Sequence, residues 1–170
     1  MKRLIVVSLM LVGMVVSAQQ TKVGTIDVDF ILSKMPDLED VQKGVDAYAQ
    51  TLKVDLDAKM AGMQQALQQY QSEEASLTIA QRKTRQDSIL ALEDDINKYR
   101  TNSQQLILLK RDELMQPLYK KIGDKLEAIA QEQGYTQIFQ RDNNLIYINN
   151  TFDVTMAVIE ALGIKLEEGE

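Results

Sequence analysis

The stretch "QTKVGTIDVDFILSKMPD" at residues 20–37 decides the fold, because it predicts a β-strand that leads into a helix. In an extended chain, alternate side chains point to opposite faces of the strand. An isolated strand can neither pair its own edges nor bury its own face. The strand therefore needs a partner from elsewhere in the chain. Its two predicted faces are Val23, Thr25, Asp27 and Asp29 on one side and Gly24, Ile26, Val28 and Phe30 on the other.

Two long amphipathic helices are predicted after this strand. The first begins after Pro36, with Asp37 as a predicted cap. The second begins at Ile79, because Thr78 and Gln81 match a capping box, and it continues to about Gln133. Gly134 is a typical residue for the end of a helix. The first helix carries apolar residues at spacings of three and four: Val41, Val45, Tyr48, Leu52, Leu56, Met60, Met63, Leu67 and Tyr70.

The two helices predict an antiparallel hairpin, which we call the arm (residues 37–116). Pro117 marks its base, because proline inside a helix removes a backbone hydrogen bond and produces a kink. Residues 37–72 and 80–116 have nearly equal lengths, which suits a chain that runs out and returns. At about 1.5 Å per residue, the arm is predicted to be roughly 55 Å long.

The two ends of the mature chain predict a small β-rich body. Tyr135–Gln140 and Leu145–Ile148 have strand patterns and are separated by the turn residues "RDNN". A short helix is predicted from Thr151 to Leu162, capped by Thr151 or Asp153 and stopped by Gly163. Pairing with the opening strand gives three strands, a thin core that favours shared sheet edges between subunits. The predicted core of this oligomerisation body is Val23, Ile26, Val28, Phe30, Ile138, Leu145, Ile146 and Ile148.

The predicted organisation is therefore α+β and mostly α, with a long antiparallel helical hairpin on a small β-sheet or barrel. Residues 1–18 are a predicted signal peptide, 19–36 with 117–166 the oligomerisation body, 37–116 the arm, and 167–170 an acidic tail. The signal peptide follows from Lys2 and Arg3, a 13-residue apolar run and a small-residue site ending at Ala18. That run is shorter than the ~20 residues that span a bilayer. The alternative, an uncleaved anchor, is disfavoured.

The composition excludes the commonest kinds of catalytic and metal-binding site. The 170 residues contain no Cys and no His, which excludes the usual zinc sites, cysteine nucleophiles and histidine acid–base catalysis. No nucleotide-binding or serine-nucleophile motif occurs, so neither an enzyme nor a cofactor or metal is predicted. A net charge of −6 disfavours nucleic-acid binding. Asp27 with Asp29, and the run Glu93-Asp94-Asp95, are interpreted as solvated surface.

One stretch of the arm carries more apolar residues than a two-helix contact needs. "QLILLK" at 105–110 contains Leu106, Ile107, Leu108 and Leu109 in succession, and at 100° per residue they spread around most of the helix. The partner helix covers only part of that spread. The remaining side chains either bind a client or pack against another subunit near the base of the arm, and the residues alone leave both alternatives open.

The sequence resembles the Skp/OmpH family of periplasmic outer-membrane-protein chaperones. The resemblance rests on "KVGTIDVDFILSKMPD", "MQPLYKKIGDKLEAIAQEQGYTQIFQRDNNLIYIN" and "FDVTMAVIEALG", placed at the two ends of a long helical hairpin. It implies a homotrimer in which a β-barrel body holds three helical arms around a cavity. One feature departs from the family's basic arms: residues 38–115 hold 10 Lys+Arg and 13 Asp+Glu, a net charge of −3. Membrane contact is therefore predicted to be weak at most.

The resemblance implies a function as an ATP-independent periplasmic holdase. Such a protein binds unfolded outer-membrane β-barrel proteins between its arms and prevents their aggregation. The alternative from another class is a structural coiled-coil spacer or tether of the cell envelope. A peripheral membrane binder is a third and weaker alternative, because of the negative arm.

Overall fold

The computed structural model describes residues 21–142 and 145–166. The predicted signal peptide, the acidic tail at 167–170 and the two Asn residues of the predicted "RDNN" turn lie outside the described residues. The chain runs β1 (Val23–Ile26), α1 (Val28–Lys34), α2 (Asp37–Glu73), a 3₁₀ turn (Glu74–Ser76), α3 (Ile79–Gln133), β2 (Gln137–Gln140), a second 3₁₀ turn (Asn150–Phe152) and α4 (Thr155–Ala161). The fold is mostly helical, with a long helical hairpin and a small sheet, as predicted.

The described chain divides into two compact units. The first contains residues 21–28 and 125–165, and the second contains residues 29–124. The arm lies entirely within the second unit.

The first unit is built on a parallel pair of short strands. β1 pairs with β2 in the register Val23↔Gln137 to Ile26↔Gln140, so the opening strand does find its partner near the other end of the chain. On its other side, β1 bonds to the segment before α4, where the Val154 N–H donates to the Thr25 carbonyl oxygen at 2.9 Å. The buried apolar side chains of this unit are Ile26, Ile129, Val154, Val158 and Ile159.

The predicted length of the first strand is wrong, because the chain becomes helical at Val28. The Asp27 N–H donates to Thr155 Oγ1 at 2.8 Å instead of continuing the ladder with β2. From there α1 buries Ile31 and Leu32. A helical spacing of apolar residues thus prevails over the two-residue alternation, and Val28 and Phe30 belong to α1 and not to the sheet.

The predicted hairpin is also wrong for the single chain, because Leu145–Ile148 forms no strand. Its pattern is that of a strand, but the sheet has only two strands, and the two edges of β1 are occupied by β2 and by Asp153. Among the described residues, 145–148 do not pair with the remaining edge of β2. An extended apolar segment without a partner is an exposed edge.

Two helix starts differ from the predictions. Pro36, and not Asp37, occupies the cap position of α2, and Asp37 makes no side-chain cap because its carboxylate accepts a hydrogen bond from Lys121. The helix predicted from Thr151 begins only at Thr155, because Asp153 has an extended backbone that forms a bridge with Thr25, and the Val154 N–H donates to the Thr25 carbonyl oxygen. Val154 occupies the cap position of α4 and makes no side-chain cap, so neither Thr151 nor Asp153 is the cap residue, although Asp153 Oδ1 accepts a hydrogen bond from the Thr155 N–H at 2.8 Å.

The predicted boundaries of α3 are confirmed. Thr78 and Gln81 exchange hydrogen bonds, with the Thr78 N–H donating to Gln81 Oε1 at 2.9 Å and the Gln81 N–H donating to Thr78 Oγ1 at 3.3 Å. Gly134 follows the helix with φ of 70°, the left-handed conformation that glycine adopts most easily. α3 continues on both sides of Pro117. Gly163, with φ of 73°, follows α4 in the same way.

The core of the second unit is concentrated near the base of the arm. Its buried apolar side chains come from α1, the segment before α2, the first half of α2, and α3 on both sides of Pro117. They are Ile31, Leu32, Met35, Val41, Leu52, Ile96, Met115, Leu118 and Ile122. Between Leu52 and Ile96, around the tip of the arm, no described residue is buried.

Candidate functional site

The two helices of the arm run antiparallel, as contacts along their whole length show. Near the base, Lys121 is paired with Asp37. Further out, Lys110 Nζ lies 6.0 Å from the centre of the Tyr48 ring. Near the tip, Gln86 Nε2 donates to the Tyr70 hydroxyl at 2.8 Å. From one contact to the next, the residue number rises on α2 and falls on α3 by about the same amount. This is the constant register of an antiparallel pair.

Four polar side chains tie the helices together halfway along the arm, and we call them the mid-arm clasp: Asp55, Lys59, Asp95 and Tyr99. Lys59 Nζ lies 2.7 Å from Asp95 Oδ2, and the Tyr99 hydroxyl donates to Asp55 Oδ2 at 3.2 Å. The hydrogen bond to Asp95 raises the pKa of Lys59. Burial of the phenol, together with the nearby Asp55 carboxylate, raises the pKa of Tyr99.

The lysines of the arm are neutralised by neighbouring carboxylates. All six lie within 4.0 Å of an acidic oxygen, at closest distances between 2.6 and 3.0 Å. Most of these pairs join residues three or four apart on one helix, the spacing at which side chains of a helix are neighbours. The arm therefore offers no row of unneutralised lysines to an anionic partner. The six are Lys43, Lys53, Lys59, Lys83, Lys98 and Lys110.

The four successive apolar residues on α3 occupy different environments. Ile107 is half-buried, and Leu106 is 39% exposed. Leu108 and Leu109 are 59% and 62% exposed, so α2 covers neither of them. The predicted spread around the helix is therefore present, and two leucine side chains remain open to a partner. Whether that partner is a client or a second subunit stays a prediction.

The residues predicted for the oligomer core are mostly not buried in the single chain. Only Ile26 is buried. Val28, Phe30, Ile138 and Ile148 are half-buried, and Val23, Leu145 and Ile146 are exposed, with Ile146 at 100%. Their burial within an assembly stays a prediction.

Part of the core at the base of the arm was not predicted from the sequence. Ile31, Leu32 and Met35, together with Met115, Leu118 and Ile122, are all buried. Their spacings of three and four residues carry a helical signal, which was present in "VDFILSKM" but was interpreted as strand alternation.

The family profile described as "Outer membrane protein (OmpH-like)" matches residues 22–162, which is most of the chain. The chain belongs to the OmpH-like family. The resemblance found in the sequence is thereby confirmed, and it covers both the arm and the chain ends.

A solved structure supports the same fold. The chain is similar to a Caulobacter crescentus CB15 protein that is provisionally described as an outer membrane chaperone (OmpH-like). The TM-score is 0.64 with 12% identity, over 84% of this chain and 83% of that chain. At this identity the likeness concerns the fold. No curated protein matches the sequence significantly.

Neither a metal site nor a membrane-spanning helix is present in the described part of the chain. There, no group of three or more acidic side chains is arranged so that it could hold a metal ion. Across residues 21–142 and 145–166, none of the helices combines the length and the apolar character that a membrane crossing requires.

Proposed function

We propose that this protein is an ATP-independent holdase chaperone that binds unfolded outer-membrane β-barrel proteins between helical arms. The observation that carries the proposal is that Leu108 and Leu109 on α3 are exposed, because α2 covers a different side of this helix. An unfolded barrel strand exposes alternating apolar side chains, and such chains aggregate through their open edges. Apolar contact with the arms lowers the free concentration of these chains by mass action. Membership of the OmpH-like family supports this assignment.

We further propose that the chaperone works in the periplasm as a homotrimer held together by its first unit. In support, the described residues of that unit expose seven large apolar side chains, and β2 has one edge that no described residue covers. A neighbouring copy can cover both, and residues 145–148 supply an extended apolar segment for this contact. The exposed residues are Val23, Phe139, Leu145, Ile146, Tyr147, Phe152 and Met156.

The test is an aggregation assay without nucleotide. A urea-unfolded eight-stranded outer-membrane barrel protein is diluted into buffer with or without the mature chain, and light scattering is followed. The expected result is suppression of scattering at one trimer per client. The alternative role, a structural spacer of the cell envelope, predicts no suppression at any ratio.

Matched variants locate the client contact on the arm. Leu108→Glu is expected to weaken suppression several-fold, because it places a charge where an apolar contact forms. Leu90→Glu is the control, since Leu90 lies on the same helix and is 61% exposed. Equal activity of both variants and the wild type would place the client contact elsewhere.

A further inference from the structure

Sulfur in this chain is carried by methionine alone, because the sequence contains no cysteine. Oxidation at sulfur is therefore limited to thioethers. Among the methionines that the structure describes, Met35 and Met115 are buried and Met63 is half-buried. Met156, in the first unit, and Met60, in the arm, are exposed, and the exposed fraction of Met60 is 39%. Met60 is therefore the methionine of the arm that an oxidant in solution reaches most easily.

Met60 contacts a guanidinium group on the opposite helix of the arm. Arg100 Nη2, on α3, donates to Met60 Sδ, on α2, at 3.4 Å. The contact lies beside the mid-arm clasp, since Met60 follows Lys59 and Arg100 follows Tyr99 in the chain. A thioether sulfur is a weak acceptor, whereas the side chain of arginine has five N–H donors. Arg100 makes no ion pair with any residue that the structure describes, so no carboxylate there competes for these donors.

We propose that Met60 is a redox modification site, and that its sulfoxide joins the two helices of the arm more tightly through Arg100. The oxidant is a peroxide. The sulfur lone pair attacks one oxygen of hydrogen peroxide, so that an S–O bond forms and the O–O bond breaks. The sulfur loses two electrons and the peroxide gains them. The proton of the transferred hydroxyl passes to the departing hydroxide, and one peroxide yields one sulfoxide and one water.

The expected direction is stabilisation, because the new oxygen replaces a weak acceptor by a strong one. Its hydrogen bond from the guanidinium is charge-assisted, and such bonds are roughly twice as strong as neutral ones. A sulfoxide disrupts packing where the methionine lies in a core, but Met60 is exposed, and no described residue between Leu52 and Ile96 is buried. Polar contacts between the helices therefore matter more here than at the base of the arm. This effect belongs to the arm itself and does not depend on the binding of clients.

Hydrogen exchange followed by mass spectrometry tests the proposal on the mature chain, with and without hydrogen peroxide. Peptide mapping locates the added oxygen, which is expected on Met60. Amide exchange around Met60 and Arg100 is expected to slow about threefold after oxidation, as one additional net hydrogen bond predicts. Met60→Leu is the matched control, because it keeps an apolar side chain of similar size that peroxide does not oxidise. In this variant, peroxide is expected to leave the exchange of the same amides unchanged.

Arg100→Ala separates the effect of the guanidinium from that of the sulfoxide. Met60 is still expected to be oxidised in this variant, but without slower exchange, because the donor is missing. Comparing oxidised with reduced protein within each variant removes the effect of the substitution itself. No oxygen on Met60, unchanged or faster exchange in the oxidised wild type, or equal slowing in either variant would overturn the proposal. None of these measurements involves a client, so a failure to suppress aggregation would concern only the proposed function.

Discussion

Two glycines in α2 have different surroundings, and their different roles can be separated by the same substitution. A Cβ added to Gly62 meets nothing within 4 Å, whereas a Cβ added to Gly44 lies 2.8 Å from Leu114 Cδ1. Gly62 therefore costs helix stability without a packing benefit, since glycine loses more backbone entropy than alanine. Gly44 instead allows α3 to pack closely against α2 near the base of the arm.

Gly62→Ala is expected to increase the free energy of unfolding by about 0.5–1 kcal/mol, because it removes the glycine penalty in an open helical position. Gly44→Ala is expected to gain less, within about 0.5 kcal/mol of the wild type, because the Leu114 methyl group has to move. Urea unfolding followed by circular dichroism measures both. Equal stabilisation by the two substitutions would contradict the close packing of Gly44.

At the scale of the element, the contacts that join α2 and α3 differ between the base and the tip of the arm. Near its base it has buried apolar side chains, but between Leu52 and Ile96 it has none among the described residues and depends on half-buried contacts and the mid-arm clasp. Polar contacts at a solvated surface contribute less than apolar burial. The outer part of the arm is therefore the less stable part.

The mid-arm clasp makes the stability of the arm decrease at alkaline pH. The pKa values of Lys59 and Tyr99 are both raised in the folded chain. The stability that they contribute is therefore fully present below their unfolded values near ~10 and is lost as pH rises through the raised folded values. We expect helical circular dichroism to melt at lower temperature above about pH 10 than at pH 8. Tyr99→Phe is expected to reduce this pH dependence, and an unchanged dependence would contradict the role of the phenol.

The two long helices could be predicted from the sequence, but α1 and most of the sheet could not. The spacings around Leu52 and Ile96, the capping box at Thr78 and the stop at Gly134 are local signals, and the structure follows them. The neighbours of β1 depend on distant contacts, such as the hydrogen bonds of Asp27 with Thr155 and of Thr25 with Val154. Those contacts join segments more than 120 residues apart, so no local pattern shows them.

At the scale of the whole molecule, the exposed apolar side chains of the first unit predict self-association. Ile146→Asp is expected to shift the mature chain from trimer to monomer, because a charge cannot be buried in an apolar interface without a partner. Native mass spectrometry measures the subunit number. Ile79→Asp is the control, since Ile79 is 89% exposed at the tip of the arm. A trimer that survives the Ile146 substitution would exclude residues 145–148 from the interface.

The candidate site was only partly visible in the sequence for the same physical reason. The run at 106–109 shows that apolar residues surround the helix, but it does not show which of them the partner helix covers. The structure distinguishes them: Ile107 lies on the covered side, while Leu108 and Leu109 do not. Which partner covers Leu108 and Leu109 depends on other molecules, and these cannot be identified from a single sequence.

The pairing of β1 with β2 has a consequence for the order of events when the protein is made. The hydroxyl of Thr136 donates to the carbonyl oxygen of Lys22, a residue 114 positions earlier in the chain. During synthesis the N-terminal segment is therefore made long before the residues with which it pairs, and the helices between them can form first. Closing so long a loop is slow compared with helix formation. The strand that is made first is thus among the last to reach its final place.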